Sequence, residues 1–420
     1  MKISFFLNVI LFLFIPLYGM TQKSFIQKIS LLMTDSTEEK TLSDPELLER
    51  LRNMPNIEVG KGITFQPNND LYKLTIRFRM QNFLGFEFGE DFQTDAHVKR
   101  LRLRFDGYVF VPQLVYSVQL GFTSYDTKTV PNGNMNIVRD AMVYYLPTNT
   151  WSIGFGQTKI KANRARINSS SALQFIDRSI VNSQFNLDRD FGLFGEFHKA
   201  IVADFNVGAK ASITLGEGRN WGGGSNGGYA YSGRLVLFPL GRFNSLGEIS
   251  EGDYQRERTL KLMLGGAYSF NNKAVRLQGQ NGALMPDGES RNLNAYFLDF
   301  VMKYQGFALC ADFMGRKCDK PLFASDSEIC VYTGNGLNVQ SSYLFPSNWE
   351  IAIRNSTLFP KKKVQSLIGY RNFNQTTIGV TKYLIGHSLK IQADASYNHK
   401  SEALHPYNQW ELRFQVELGL

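Results

Sequence analysis

The chain has 420 residues and a formal net charge of +9, and it is rich in Gly (37), Phe (33) and Tyr (19) and poor in Pro (13). Three cysteines are too few for a disulfide scaffold. Beyond the N-terminus no apolar run is long enough for a membrane-spanning helix, which leaves a β-barrel open, because alternating strands average out in hydropathy.

The N-terminus reads as a secretory leader. Lys2 precedes an almost wholly apolar run, Ile3 to Leu17, followed by Gly19 and Thr21. That run is short of the roughly 20 apolar residues a spanning helix needs. A cleaved signal is therefore expected over 1–22, and export makes nucleic acid an unexpected partner. Residues 23–70 read as a short periplasmic segment. Ser43, Asp44, Pro45 and Glu46 mark a helix start, with Leu47, Leu48 and Leu51 at helical spacing.

From Tyr72 to the end the pattern has period two. Trp410, Leu412, Phe414, Val416, Leu418 and Leu420 alternate with Glu411, Arg413, Gln415, Glu417 and Gly419. Leu101, Leu103 and Phe105 alternate with Arg100, Arg102, Arg104 and Asp106. Successive strand side chains point to opposite faces. Charges on the inner face of so many strands would ruin a sandwich core but suit a wet lumen. The fold class expected is all-β, a transmembrane antiparallel barrel over 71–420 with about sixteen strands. Strands fall near 72–88, 97–110, 113–124, 137–146, 151–157, 191–199, 202–214 and 229–238, then 259–270, 294–304, 307–316, 330–345, 349–359, 376–385, 388–399 and 409–420. A stretch at 363–372 also looks strand-like, but an even count assigns 361–375 to an external loop. Short and long links alternate, as periplasmic turns and outer loops do. The segment 239–258 is the misfit, a long link where a short turn is due. Cys318 and Cys330 flank one predicted loop and either pair across it or stay free; Cys310 sits inside a strand.

The longest link, 158–190, carries Lys159, Lys161, Arg164, Arg166, Arg178 and Arg189, with apolar anchors Leu173, Phe175, Ile176, Ile180, Val181 and Phe185. Those anchors need a wall, so the loop is expected to fold into the lumen rather than cap the mouth. In the first strand Lys73, Arg77 and Arg79 share the polar face, and in the second Arg100, Arg102 and Arg104 do so. The candidate pore-lining, anion-binding residues are thus Arg77, Arg79, Arg100, Arg102, Arg104, Lys159, Lys161, Arg164 and Arg166. Arg and Lys rows are a route to anion selectivity, and the guanidinium fork suits phosphate. The opposing reading is that these arginines pair with lumen carboxylates and only stiffen the wall.

The stretch Gly154 to Leu193, GFGQTKIKANRARINSSSALQFIDRSIVNSQFNLDRDFGL, resembles the phosphate-selective porin O and P family. The shared features are Gly-Gln-x-Lys after a strand, the Ser-rich segment, and the run Phe175, Asp177, Arg178, Ser179, Val181 and Asn182. Asp188, Arg189, Asp190 and Gly192 then open the next strand. Ala162-Asn163 departs from the Pro-Phe pair the family often carries there. The resemblance implies a sixteen-stranded, trimeric outer-membrane porin of a Gram-negative bacterium with a basic, anion-favouring pore. Its partners would be small anions or other small hydrophilic solutes, membrane lipid and lipopolysaccharide.

Two alternatives stand beside this reading, a general non-selective porin and a surface-exposed binding barrel of little conductance. Catalysis has no support: the five histidines are scattered, and no metal-ligand or nucleophile motif is present. Asp188 and Asp190 are too few oxygens for a cation site. No catalytic residue, metal or cofactor is expected.

Overall fold

The computed structural model describes Pro55–Leu420, apart from 68–69, 90, 130–134, 203, 224–226, 325–327, 368–369 and 402–406. The expected leader and the helix start at Ser43–Glu46 lie outside the described residues.

The period-two region folds into β1 Tyr72–Phe88, β2 Phe92–Val109, β3 Val111–Gly121, β4 Val138–Tyr145, β5 Trp151–Lys159, β6 Arg189–Val202, β7 Phe205–Thr214 and β8 Ala230–Phe238. It continues as β9 Lys261–Ala274, β10 Arg291–Tyr304, β11 Phe307–Lys317, β12 Gly334–Leu344, β13 Trp349–Pro360, β14 Phe373–Ile385, β15 Leu389–Lys400 and β16 Tyr407–Gly419. Each pairs antiparallel with the next, and β16 returns to β1, from Trp410↔Phe88 to Gly419↔Arg79. The result is a closed barrel of sixteen strands. Closure removes the edges that lipid could not satisfy.

The barrel is turned inside out relative to a soluble core. Leu298 is 60% exposed on the outer wall, while its neighbour Asp299 is 7% exposed inside. Ile353 and Arg354 repeat the contrast at 53% and 1%. Exposed aromatics, such as Tyr145, Trp151 and Tyr304 at one end and Phe88, Tyr268 and Trp410 at the other, sit where interfacial girdles belong. Among the described residues no helix is long and apolar enough to cross a membrane; strands do the crossing.

Links at the end where β1 begins are mostly tight. Gln305 and Gly306, both with positive φ (48° and 93°), make the two-residue turn between β10 and β11. The segment expected to be an external loop, 361–375, holds a short helix, Lys362–Gln365, and β14 starts only at Phe373. All three cysteines are free thiols.

The end of the N-terminal segment belongs to the sheet. Asn56–Glu58 and Gly62–Phe65 form a hairpin, and Ile63–Phe65 pair with Ile76–Leu74 of β1. They occupy the edge of β1 that β16 leaves free beyond Gly419. Gly62 is required there: its φ is +96°, and a Cβ would lie 2.3 Å from the Ile76 carbonyl oxygen.

Candidate pore lining

The long loop leaves β5 after Lys159 and folds inward, as its apolar anchors demand. Its neck is closed by Ile160 N–H donating to the Asp188 carbonyl at 3.0 Å. Asn163 caps the short α1 (Arg164–Ile167), and Ser179 caps α2 (Ile180–Phe185) by accepting from Asn182 N–H at 3.1 Å. Leu173, Phe175, Ile176, Val181 and Phe185 are all buried. Val181 and Phe185 pack with Phe297, Met314 and Leu358 of the far wall. Phe175 lies under the guanidinium of Arg354, 4.4 Å from ring centre to carbon.

Polar tethers hold the crossing. Ile176 N–H donates to Asp394 at 3.0 Å, and Lys390 and Gln392 donate to the Leu173 carbonyl at 3.0 and 3.1 Å. Gln174 donates to Glu350 at 2.8 Å and accepts from Gln340 at 2.8 Å. The resemblance motif is therefore largely anchoring. Asp177 accepts from Lys99 at 2.5 Å and faces Arg413 at 3.5 Å. Burial raises the Asp177 carboxyl, but Lys99 and Arg413 outweigh it and hold it below the usual range. Arg178 donates to the carbonyls of Ala165 (2.8 Å) and Asn168 (2.7 Å), joining the two legs of the loop.

The misfit segment 239–258, part of a link that runs from β8 to β9, has a physical explanation: it also turns inward. Glu251 N–H donates to the Ala172 carbonyl at 3.2 Å, and the Glu251 carboxylate accepts from Gln174 N–H at 2.9 Å. Lys303 fixes the segment from the wall, donating to the carbonyls of Gly247 (2.7 Å) and Gly252 (2.6 Å). A short turn could not reach the loop from below.

The nine predicted residues divide. Arg102 donates two hydrogen bonds to Asp126, both 2.6 Å, and Arg166 donates two to Asp188 at 2.6 and 3.0 Å. Arg104 donates to Asp106 at 2.8 Å, and Arg77 bonds the same carboxylate. Arg164 is buried 3.5 Å from Asp312, away from the β1–β2 row, and Lys161 is 3.7 Å from Glu196. For these six carboxylate pairing holds, and it extends to Arg79, whose Nε faces the buried Glu417. Arg79 reaches Ser169 and Ser170 of the loop and lies 3.4 Å from Glu417. Arg100 donates to the Gln81 amide oxygen at 2.6 Å. Among the described residues Lys159 donates to two carbonyls, those of Ile167 (3.1 Å) and Asn168 (3.2 Å).

Two inward cations were illegible in the period-two pattern. The β1–β2 register slips between Gln81↔Arg100 and Asn82↔Val98, so Lys99 is the extra residue of a bulge. The β3–β4 register slips likewise between Gln119↔Asp140 and Leu120↔Val138, leaving Arg139 extra. Strict alternation would send both into lipid. The bulges turn them inward instead, Lys99 to Asp177 and Arg139 to Asp126 at 2.7 Å. Only a lone charge on an otherwise apolar face hinted at this. Asp126 thus receives Arg102 and Arg139 together. Burial raises its carboxyl, yet hydrogen bonds and charge from Arg102 bring it down to about 2.

A cavity of about 180 Å³ lies below the serine segment, lined by Arg77, Arg79, Arg102, Arg104, Ser169 and Ser171 among others. A second, of about 310 Å³, opens among the outer loops.

The model of the family "Phosphate-selective porin O and P" matches residues 72–416. No curated protein matches the chain. Among solved structures, the anion-selective porin from Comamonas acidovorans is similar, with TM-score 0.54, 11% identity and coverage of 83% of this chain and 100% of that one. The outer membrane channel DcaP of Acinetobacter baumannii has TM-score 0.53 and 11% identity, covering 86% and 100%. OmpF of Salmonella typhi, in complex with daunomycin, has TM-score 0.52 and 13% identity, covering 84% and 100%. At such identities the structures speak to fold alone. The family match extends over nearly the whole barrel, and the chain belongs to the phosphate-selective porin O and P family, as an outer-membrane porin of the Gram-negative cell envelope.

Proposed function

We propose that this porin passes small hydrophilic solutes passively and prefers anions, phosphate or a similar oxyanion, through the lining formed by Arg77, Arg79, Arg100, Arg102 and Arg104 with Lys159 and Arg166. Lys161 and Arg164 are pairing and anchoring groups in this reading. The observation that carries it is the surplus of cations around the serine segment. Lys159, Arg178 and Arg100 are satisfied by neutral oxygens, so their charge is not cancelled at hydrogen-bond range. Burial and the neighbouring Arg166 and Arg100 depress the Arg178 guanidinium, as expected where cations crowd.

The mechanism is electrostatic. An oxyanion exchanges water for N–H donors that a guanidinium fork presents in pairs. Most of the arginines are partly neutralised by a carboxylate, so each site is weak and the ion can leave as readily as it enters. We further propose the homotrimer that the family implies, with lipid and lipopolysaccharide on the outer wall.

Single-channel reversal potentials under a chloride gradient test the selectivity. Anion preference, phosphate block of the chloride current, and loss of both in an Arg79→Ala/Arg100→Ala double variant are expected. A wild-type channel with no ion preference overturns the reading and leaves a general porin.

A further inference from the structure

The outer cavity is chemically unlike the arginine row. Three loops and the return of the long loop converge on it. Its charged lining residues are Asp188, Glu217, Arg219 and Arg276, two of each sign. The others include Gln280 and Asn281, at the tip of an inward hairpin closed by Leu277 N–H to the Ala283 carbonyl and Gln278 N–H to the Asn281 carbonyl, both 3.1 Å.

The site is rigidly built. Asp190 accepts from the N–H groups of Gly216 (2.7 Å) and Gly218 (3.2 Å), and Asn220 N–H donates to Gln157 at 2.5 Å. Gly218, with φ +92°, lets the hairpin close in, since a Cβ there would lie 2.3 Å from the Gln280 carbonyl oxygen. Gln280 is 5% exposed, yet neither of its amide atoms has a hydrogen-bond partner. The Asn281 amide oxygen and the Nε and Nη1 of Arg219 are likewise buried without partners. Leaving a buried polar group without a partner is unfavourable, so such a group at a cavity wall points to something that fills the cavity.

We propose that this cavity binds an uncharged polyhydroxyl solute, a small saccharide, before it meets the arginines below. The unpartnered set holds donors (Gln280 Nε2 and Arg219) and acceptors (Gln280 Oε1 and Asn281 Oδ1) in one wall. A hydroxyl group both donates and accepts, so adjacent hydroxyls satisfy both kinds. An oxyanion is predominantly an acceptor, and even phosphate, which keeps a hydroxyl or two near neutral pH, would bring its negative charge against the two amide oxygens. The balanced charge of the lining likewise gives an anion no net attraction. The cavity volume falls at the lower end of the roughly 300–1,000 Å³ typical of small-molecule sites. The inference goes beyond the anion reading and does not depend on it.

The test is calorimetric titration of the full chain with sucrose, in a detergent without a sugar headgroup, beside a parallel titration with inorganic phosphate. Saturable sucrose binding is expected, unaffected by phosphate and weakened about tenfold in Gln280→Leu, the loss of one or two hydrogen bonds. Asn281→Ala provides a second variant, at a half-buried tip position that is less exposed to folding defects. Absence of saturable binding to the wild type overturns the proposal. Equal binding by wild type and both folded variants overturns it too, as does phosphate displacing sucrose, which would make the cavity an anion site.

Discussion

Gly379 on β14 is the seat of Phe175: a Cβ on Gly379 would lie 2.9 Å from the Phe175 ring. Gly336 on β12 seats Val181 in the same way, at 2.8 Å. The inward loop thus docks into two side-chain-free notches of the far wall. Gly379→Leu is expected to lever the loop off that wall at a cost of about 1–3 kcal/mol, the usual penalty of overpacking. Single-channel conductance should rise and amide protection over 173–181 should fall. An unchanged channel would show that the loop does not depend on this seat.

Asp177 ties the loop to the adjoining stretch of wall through Lys99 of β2 and Arg413 of β16. Its carboxyl is held below the usual range, so the contribution of this pairing is complete above the ordinary carboxylate pKa and is lost only as pH falls through the lowered value. Wild-type channels should stay quiet on acidification until well below the usual carboxylate range. Asp177→Asn leaves the Lys99 charge uncompensated and should give noisy, fluctuating currents already at neutral pH. Current traces recorded across a pH series decide the matter.

Arg234 and Asp299 form a buried ion pair joined by two hydrogen bonds of 2.6 and 2.7 Å, and Arg234 also donates to the Ala162 carbonyl of the loop at 2.9 Å. Arg234→Met strands a buried carboxylate and should cost about 3–5 kcal/mol. Replacing both residues, Arg234→Met with Asp299→Leu, should cost less than the single change. Urea midpoints of refolded barrels in lipid vesicles measure both. A double variant less stable than the single one would show that the pair does more than neutralise itself.

His387 lies in the turn between β14 and β15, beside Tyr254 and Tyr383 at ring separations of 5.2 and 5.3 Å. Burial, with Lys390 and Lys303 nearby, lowers its pKa from 6.5 to about 3. The folded imidazole is therefore neutral where the unfolded one is charged. Its contribution to stability is full above pH 6.5 and is lost as pH falls from there towards 3. His387→Asn should flatten the acid limb of the stability profile. Parallel pH profiles of wild type and variant in thermal melts would reveal it.

The long-range order of the barrel was legible because alternation is local. Each strand advertises a lipid face and a lumen face, and the last strand, Trp410–Leu420, does so without interruption. The inward fold of 158–190 could also be read, since Phe175, Ile176 and Val181 need burial and the outer loops offer them none. The segment 239–258 stood out in sequence as an anomaly of length, but nothing local says that Glu251 reaches up to Ala172 and Gln174.

What the sequence alone determined is the class of the molecule, its sixteen strands and the basic character of its first wall. Tertiary structure decided which of those charges stay uncancelled. Asp126, Asp177 and Asp188 lie in links, far in sequence from most of the cations they neutralise, and pairing depends on distances of a few ångströms. It also decided the inward turn of Lys99 and Arg139. One extra residue in a strand reverses which face its neighbours present, and that slip lies in the partner strand's register rather than in either residue's own neighbourhood.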